Sequence, residues 1–216
     1  MPSNADATDS NLKKLVRKVL DHAIDGVPPL SGAGALARSY AVNRRYASND
    51  QRVEALIRWE ASKNFTSGFL TGLGGLLSLP VTVPASLGAS WVIQARLCGA
   101  ISELYGHSLR EDSVRTLVLL ALVGDSAKEL LKDAGIVFGK RLTLHAIEHL
   151  PAKVLTELNK RVGVSLVTQG GEKSVAKLAR FVPLLGGVVS GSFDAGMCLG
   201  VGKAAKRIFR PSASLQ

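Results

Sequence analysis

Between Asn64 and Ala95 the chain carries no Asp, Glu, Lys or Arg, and no other feature limits its folds as strongly. A run of that length exceeds the roughly 20 apolar residues that a straight membrane-spanning helix needs. Pro80 and Pro84 fall in its middle, and a proline inside a helix removes a backbone hydrogen bond and clashes with the preceding turn. A single straight span is therefore a poor fit. What remains is two glycine-rich halves meeting at a Pro-x-x-x-Pro corner, either a re-entrant hairpin or two core helices packed at short range. Gly68 and Gly72, Gly187 and Gly191, and Gly196 and Gly200 are each spaced one helical turn apart, a pattern that lets helix backbones approach closely. Glycine is a poor helix former in water, so close packing or a lipid surface has to compensate.

The remainder reads as helix as well. From Ser10, an N-cap residue, Leu12, Leu15, Val16, Val19, Leu20, Ala23 and Ile24 fall on one face and Lys13, Lys14, Arg17 and Lys18 elsewhere, until Gly26, Pro28 and Pro29 stop the pattern. Further helices are predicted over 33–47, from Asn49 or Asp50 into the glycine stretch, and over 81–105, 113–124, 126–150, 152–163 and 184–209. Sustained alternation of apolar and polar residues is missing, and no Asn-Gly or Asp-Gly turn sits between apolar runs. The expectation is an all-α, compact multi-helix bundle with glycine-rich, closely packed central helices. Residues 11–210 form its one domain, with short disordered tails at 1–10 and 211–216.

Charge narrows the partners. With 27 Lys and Arg against 17 Asp and Glu, the formal net charge is +10, which favours an anionic partner. Aromatic residues make up only 5% of the chain and none interleave with Lys or Arg as a base-stacking platform requires, so lipid headgroups are favoured over nucleic acid. Two basic clusters suit an anionic lipid surface: Lys13, Lys14, Arg17 and Lys18 on the first helix, and Lys203, Lys206, Arg207 and Arg210 directly after an apolar run. Solvated faces of ordinary bundle helices account for the same residues. The start of the chain lacks the basic and apolar regions of a secretory signal. Cys98 and Cys198 lie in apolar, glycine-rich surroundings and read as reduced, buried thiols, which favours a cytosol-facing protein.

Catalytic chemistry is sparse. The sharpest motif is His145-Ala-Ile-Glu148-His149: on a helix, His145 and His149 would share a face and could bind one zinc, with Glu148 activating a bound water. The pattern matches the H-x-x-E-H of inverzincin peptidases. It lacks an identified third ligand, Pro151 follows at once, and a polar helix face explains it equally well. Neither cysteine has an activating basic neighbour, and the glycine clusters lack the Gly-Lys-Ser/Thr of a phosphate loop. Among polar residues in apolar runs, Gln94, Arg96 and Asp194 are expected to be buried, with Arg96 or Arg180 pairing Asp194. The stretches after Pro84 and Pro183 both reach a polar residue, Gln94 or Asp194, and then a cysteine four positions on. Duplicated halves of one core and coincidence among small residues both fit.

The segments GFLTGLGGLLSLPVTVPASLGASWVIQARLCGAISELYG and VPLLGGVVSGSFDAGMCLGVGKAAKRIF resemble the two signature segments of the EcsC family of bacterial proteins. Its landmarks are Gly72, Gly74, Gly75, Leu79, Pro80, Pro84, Gln94, Arg96, Leu104, Tyr105, Gly106, Pro183, Gly186, Gly187, Asp194, Gly202 and Ala205, and the resemblance runs from about Gln51 to Phe209. It implies a helical protein of membrane-like hydropathy in a bacterial cell, from a family named for an ABC transporter locus, and it supplies no catalytic residues. Together with the charge pattern it leads to one expectation: a non-enzymatic, membrane-associated accessory protein without a cofactor, peripheral to the inner, cytoplasmic face of the cell membrane. Its partner would be the membrane surface or an integral membrane protein, and a hydrophobic ligand also fits. A zinc-dependent hydrolase using the H-x-x-E-H motif and a soluble protein-interaction module are the alternatives.

Overall fold

The architecture follows from which helices bury all their faces and which bury one. A computed structural model describes residues 4–28, 30–74, 79–124, 126–133, 136, 147, 149–178 and 183–211, with side chains at 10, 13–28, 30–63, 90–124, 126–133, 136, 147, 149–166 and 195–211. Among these residues it forms eight helices: α1 (Asn4–Asp25), α2 (Ala33–Ala41), α3 (Asn49–Gly74), α4 (Leu79–Leu104), α5 (Asp112–Val123), α6 (Ser126–Asp133), α7 (Ala152–Leu178) and α8 (Pro183–Phe209). A two-residue antiparallel bridge, β1 (Gly26–Val27) with β2 (Leu30–Ser31), turns the chain between α1 and α2. The fold is all-α.

α5 is the centre. Every residue from Thr116 to Val123 is buried, as expected of a helix that is apolar on all sides, and α4, α6, α7 and α8 pack around it. α3 lies antiparallel along α8: Glu54 reaches Lys206, and Ile57 crowds Gly202. α4 is antiparallel to α3 in turn, as Tyr105 meets Asp50 and Arg96 meets Glu60. α1 covers α4 and α7, burying Val16, Val19, Leu20 and Ala23.

Several boundaries differ from expectation. α1 begins at Asn4, ahead of Ser10 and within the stretch read as a tail, and Asp6 and Asp9 sit at its amino end, where the helix dipole favours acid. α2 stops at Ala41 because the Asn43 side chain accepts from the Arg45 N–H at 3.0 Å and turns the chain. α6 ends at Asp133; residues 137–146 lie outside those described. α7 runs past Gly163 to Leu178, since packing against α5 and α1 outweighs glycine's helix penalty of about 1 kcal/mol. In the uncharged run α3 ends at Gly74 and α4 begins at Leu79, ahead of both prolines. Pro80 occupies the first turn of α4, where the missing N–H has no helical acceptor to lose, and the backbone stays helical through Pro84.

The glycines divide into two kinds. A Cβ on Gly202 would lie 2.9 Å from Ile57 Cγ1, and one on Gly99 would lie 3.0 Å from both Ala33 Cβ and Leu109 Cδ1, so these two set how closely α8 approaches α3 and α4 approaches α2. The pair expected to do so, Gly196 and Gly200, is exposed and has nothing within 4 Å of an added Cβ. The backbones of Gly68, Gly72, Gly187 and Gly191 are helical, and their close contacts lie outside what is described.

Candidate functional site

Arg96 and Glu60 are the most buried charges described, at 4% and 2% exposure. Glu60 and Lys63 are the last two charged residues before the uncharged run, and Arg96 is the first after it. Folding the run into an antiparallel pair of helices therefore brings its two borders together. Arg96 Nη1 donates to Glu60 Oε2 at 3.1 Å, Arg96 Nε to the Ser31 carbonyl at 2.5 Å and Arg96 Nη2 to Ser31 Oγ at 3.4 Å. Lys63 Nζ donates to Glu60 Oε1 at 3.0 Å and lies 5.5 Å from the centre of the Trp59 ring, which is 56% exposed. Both carboxylate oxygens are thus satisfied, and α3, α4 and β2 are pinned at one point.

Nearby, Gln94 is buried and donates from Nε2 to Ser90 Oγ at 3.1 Å. Burial, and then the negative charge of Glu60, push the Tyr40 hydroxyl up to about 12. Among the described residues the Arg96 guanidinium is held by Glu60 and Ser31; the expected pairing of Asp194 with Arg96 or Arg180 lies outside the described side chains. Asp194 lies on α8, and its side chain is outside those described.

A second cluster joins the start of α3 to the end of α8. Lys206 Nζ donates to Glu54 Oε1 at 2.7 Å, and this hydrogen bond, with the lysine's charge, holds the Glu54 carboxyl below its ordinary range. Arg210 pairs with Asp50, which also accepts from the Tyr105 hydroxyl at 2.6 Å. Burial first, then that hydrogen bond, push the Tyr105 hydroxyl upward. His107 Nε2 is 2.8 Å from the Phe209 carbonyl. A groove of about 370 Å³ beside this cluster is lined by Tyr46, Asp50, Gln51, Glu54, Ala55 and Arg58, and both its carboxylates are already paired.

The cluster changes the reading of the carboxy-terminal basic residues. Lys206 and the exposed Arg210 are engaged with Glu54 and Asp50, while Lys203 and Arg207 are exposed. On α1, by contrast, Lys13, Lys14, Arg17 and Lys18 are all exposed. Among its described side chains the apolar face is spent on the core, and what α1 presents outward is charge.

Of the H-x-x-E-H motif, His145 and Glu148 lie outside the described residues, and His149 is exposed in a turn closed by Leu150 N–H on the Ile147 carbonyl. Among the described residues no group of three His, Cys, Asp or Glu could hold a metal, and no helix is long and apolar enough to cross a membrane. Cys98 and Cys198 are reduced and fully buried. Burial, and then Cys198, push the Cys98 thiol upward, opposite to what a nucleophile needs.

Glu60 is the residue that sequence reasoning missed, although its position as a border of the uncharged run was the signal. The class defined by these features is a helical bundle whose described polar groups pin helices together. The chain belongs to the EcsC protein family, whose family model matches residues 41–211. The matched region takes in Glu60, Lys63, Arg96 and the whole second cluster, while Ser31, Tyr40 and α1 lie ahead of it. No curated protein and no solved structure matches the chain.

Proposed function

We propose that this EcsC-family chain is a non-enzymatic accessory protein that associates with the inner face of the cell membrane, docking on anionic lipid or on an integral membrane partner. The observation that carries the reading is α1. It buries Val16, Val19, Leu20 and Ala23 and presents Lys13, Lys14, Arg17 and Lys18 to solvent, on a chain of formal net charge +10. Cationic side chains held near an anionic surface contribute about 1 kcal/mol each and lose that contribution within a Debye length or in high salt. Two reduced, buried thiols suit the reducing side of that membrane.

Co-sedimentation of the full chain with vesicles tests the proposal. Binding to vesicles containing phosphatidylglycerol, weak binding to neutral ones and release on raising salt are the expected results. Equal failure on both vesicle types at low salt removes direct lipid docking.

A further inference from the structure

The partners along α3 and α8 run in opposite directions, Asp50 with Arg210, Glu54 with Lys206 and Ile57 with Gly202. Followed past these contacts, the carboxy-terminal half of α3 and the amino-terminal half of α8 reach the same end of the molecule. α4 begins there too, because its own partners on α3, Asp50 with Tyr105 and Glu60 with Arg96, are antiparallel. Three helix halves therefore share one end: 64–74, 79–89 and 183–194. Across all three the only charged residue is Asp194, at the inner limit of the last.

The border of this end is marked on the described surface. Trp59 and Met197, two of the large apolar side chains left exposed, lie on adjoining helices. Trp59 is one turn before Lys63, which stands over its ring. An exposed indole beside a lysine, placed where charge gives way to an uncharged run, is the arrangement found at a membrane–water interface. The distance also fits. From Trp59 to Gly74 is about 22 Å of helix at 1.5 Å per residue, close to half of the roughly 40–45 Å that a bilayer measures with its headgroups. α7 reaches the same end, since Leu178 is separated from Pro183 by only the 179–182 connection, and it carries Glu172, Lys173 and Lys177 in its last two turns.

We infer that the end of the bundle built from residues 64–74, 79–89 and 183–194 enters one leaflet of an anionic bilayer, with Trp59 and Lys63 at the level of the headgroups. This rests on the membrane-surface reading and adds the part of the molecule that meets the acyl chains. That part lies inside the family match, unlike the basic helix α1.

The two native cysteines are fully buried, so an introduced cysteine can be labelled selectively in the folded protein. An environment-sensitive nitrobenzoxadiazole probe is placed on Thr71→Cys in α3, on Val188→Cys in α8 and, as a control at the far end of α3, on Gln51→Cys. Circular dichroism and melting confirm that each variant is folded. Adding phosphatidylglycerol vesicles is expected to raise emission several-fold at Thr71→Cys and Val188→Cys, with quenching by lipids spin-labelled in the acyl chain, and to leave Gln51→Cys unchanged. Co-sedimentation with both end probes still in water overturns the insertion and spares surface docking. Loss of co-sedimentation at every salt overturns both. A rise in emission with protein concentration alone, before vesicles are added, overturns it in favour of a second copy covering this end.

Discussion

Removing the Arg96 guanidinium leaves Glu60 buried with Lys63 as its remaining partner. Breaking one side of a buried pair costs about 3–5 kcal/mol, whereas replacing both partners by apolar residues of similar size is often neutral or better. Arg96→Met is expected to lower stability by about 3 kcal/mol, partial pairing by Lys63 keeping it at the lower end of that range. The double variant Glu60→Leu/Arg96→Met is expected to recover most of the loss. Urea midpoints measure both, and a double variant weaker than Arg96→Met would refute this account of the site. Tyr40 and Tyr105 set the alkaline limit. Both hold their proton more tightly folded than an ordinary tyrosine does, so their contribution is complete below pH about 10. It is lost as pH rises through the folded value, about 12 for Tyr40. The melting temperature should therefore fall between pH 10 and 12, and less steeply in Tyr40→Phe.

The helices respond to small changes according to what they face. Gly202→Ala places a methyl group against Ile57, and overpacking of this kind costs about 1–3 kcal/mol. Ile57→Val should restore part of it. Gly200→Ala, two residues away and open to solvent, should instead stabilise by about 0.5–1 kcal/mol through helix propensity. Thermal melts of the three variants separate the two roles, and equal effects at Gly200 and Gly202 would contradict the packing described. This pair also shows how far the sequence could be read. Apolar periodicity and the missing alternation gave the class of fold and most helix starts, because those depend on local pattern. The glycine that matters at the α3–α8 interface could not be chosen from Gly196, Gly200 and Gly202, because contact depends on helix rotation, which spacing alone leaves open. For the same reason Lys206 and Arg210 looked like their neighbours Lys203 and Arg207, although acids on α3 claim them. The end of α2 depended on an Asn43 turn too local for a periodicity to register.

At the scale of the whole molecule, the proposed membrane docking makes separable demands on charge and shape. Lys14→Gln, Arg17→Gln and Lys18→Gln alter exposed positions on α1, and each is expected to weaken partition onto anionic vesicles about fivefold, near 1 kcal/mol, with little change in melting temperature. Vesicle titrations at two salt concentrations check this, and undiminished binding by the triple variant would place the docking charge elsewhere. The clasp that joins Asp50 and Glu54 to Arg210 and Lys206 has a consequence for how such a chain is made. α3 precedes its main partner α8 by more than a hundred residues, so on the ribosome the α3–α4 hairpin emerges long before the helix that closes over it. During that interval its uncharged run is exposed to whatever else is nearby, a chaperone or the membrane itself, and non-local closure of this kind is slow and prone to aggregation. If the proposed insertion holds, the nascent protein meets the choice between bilayer and bundle before the fold is complete.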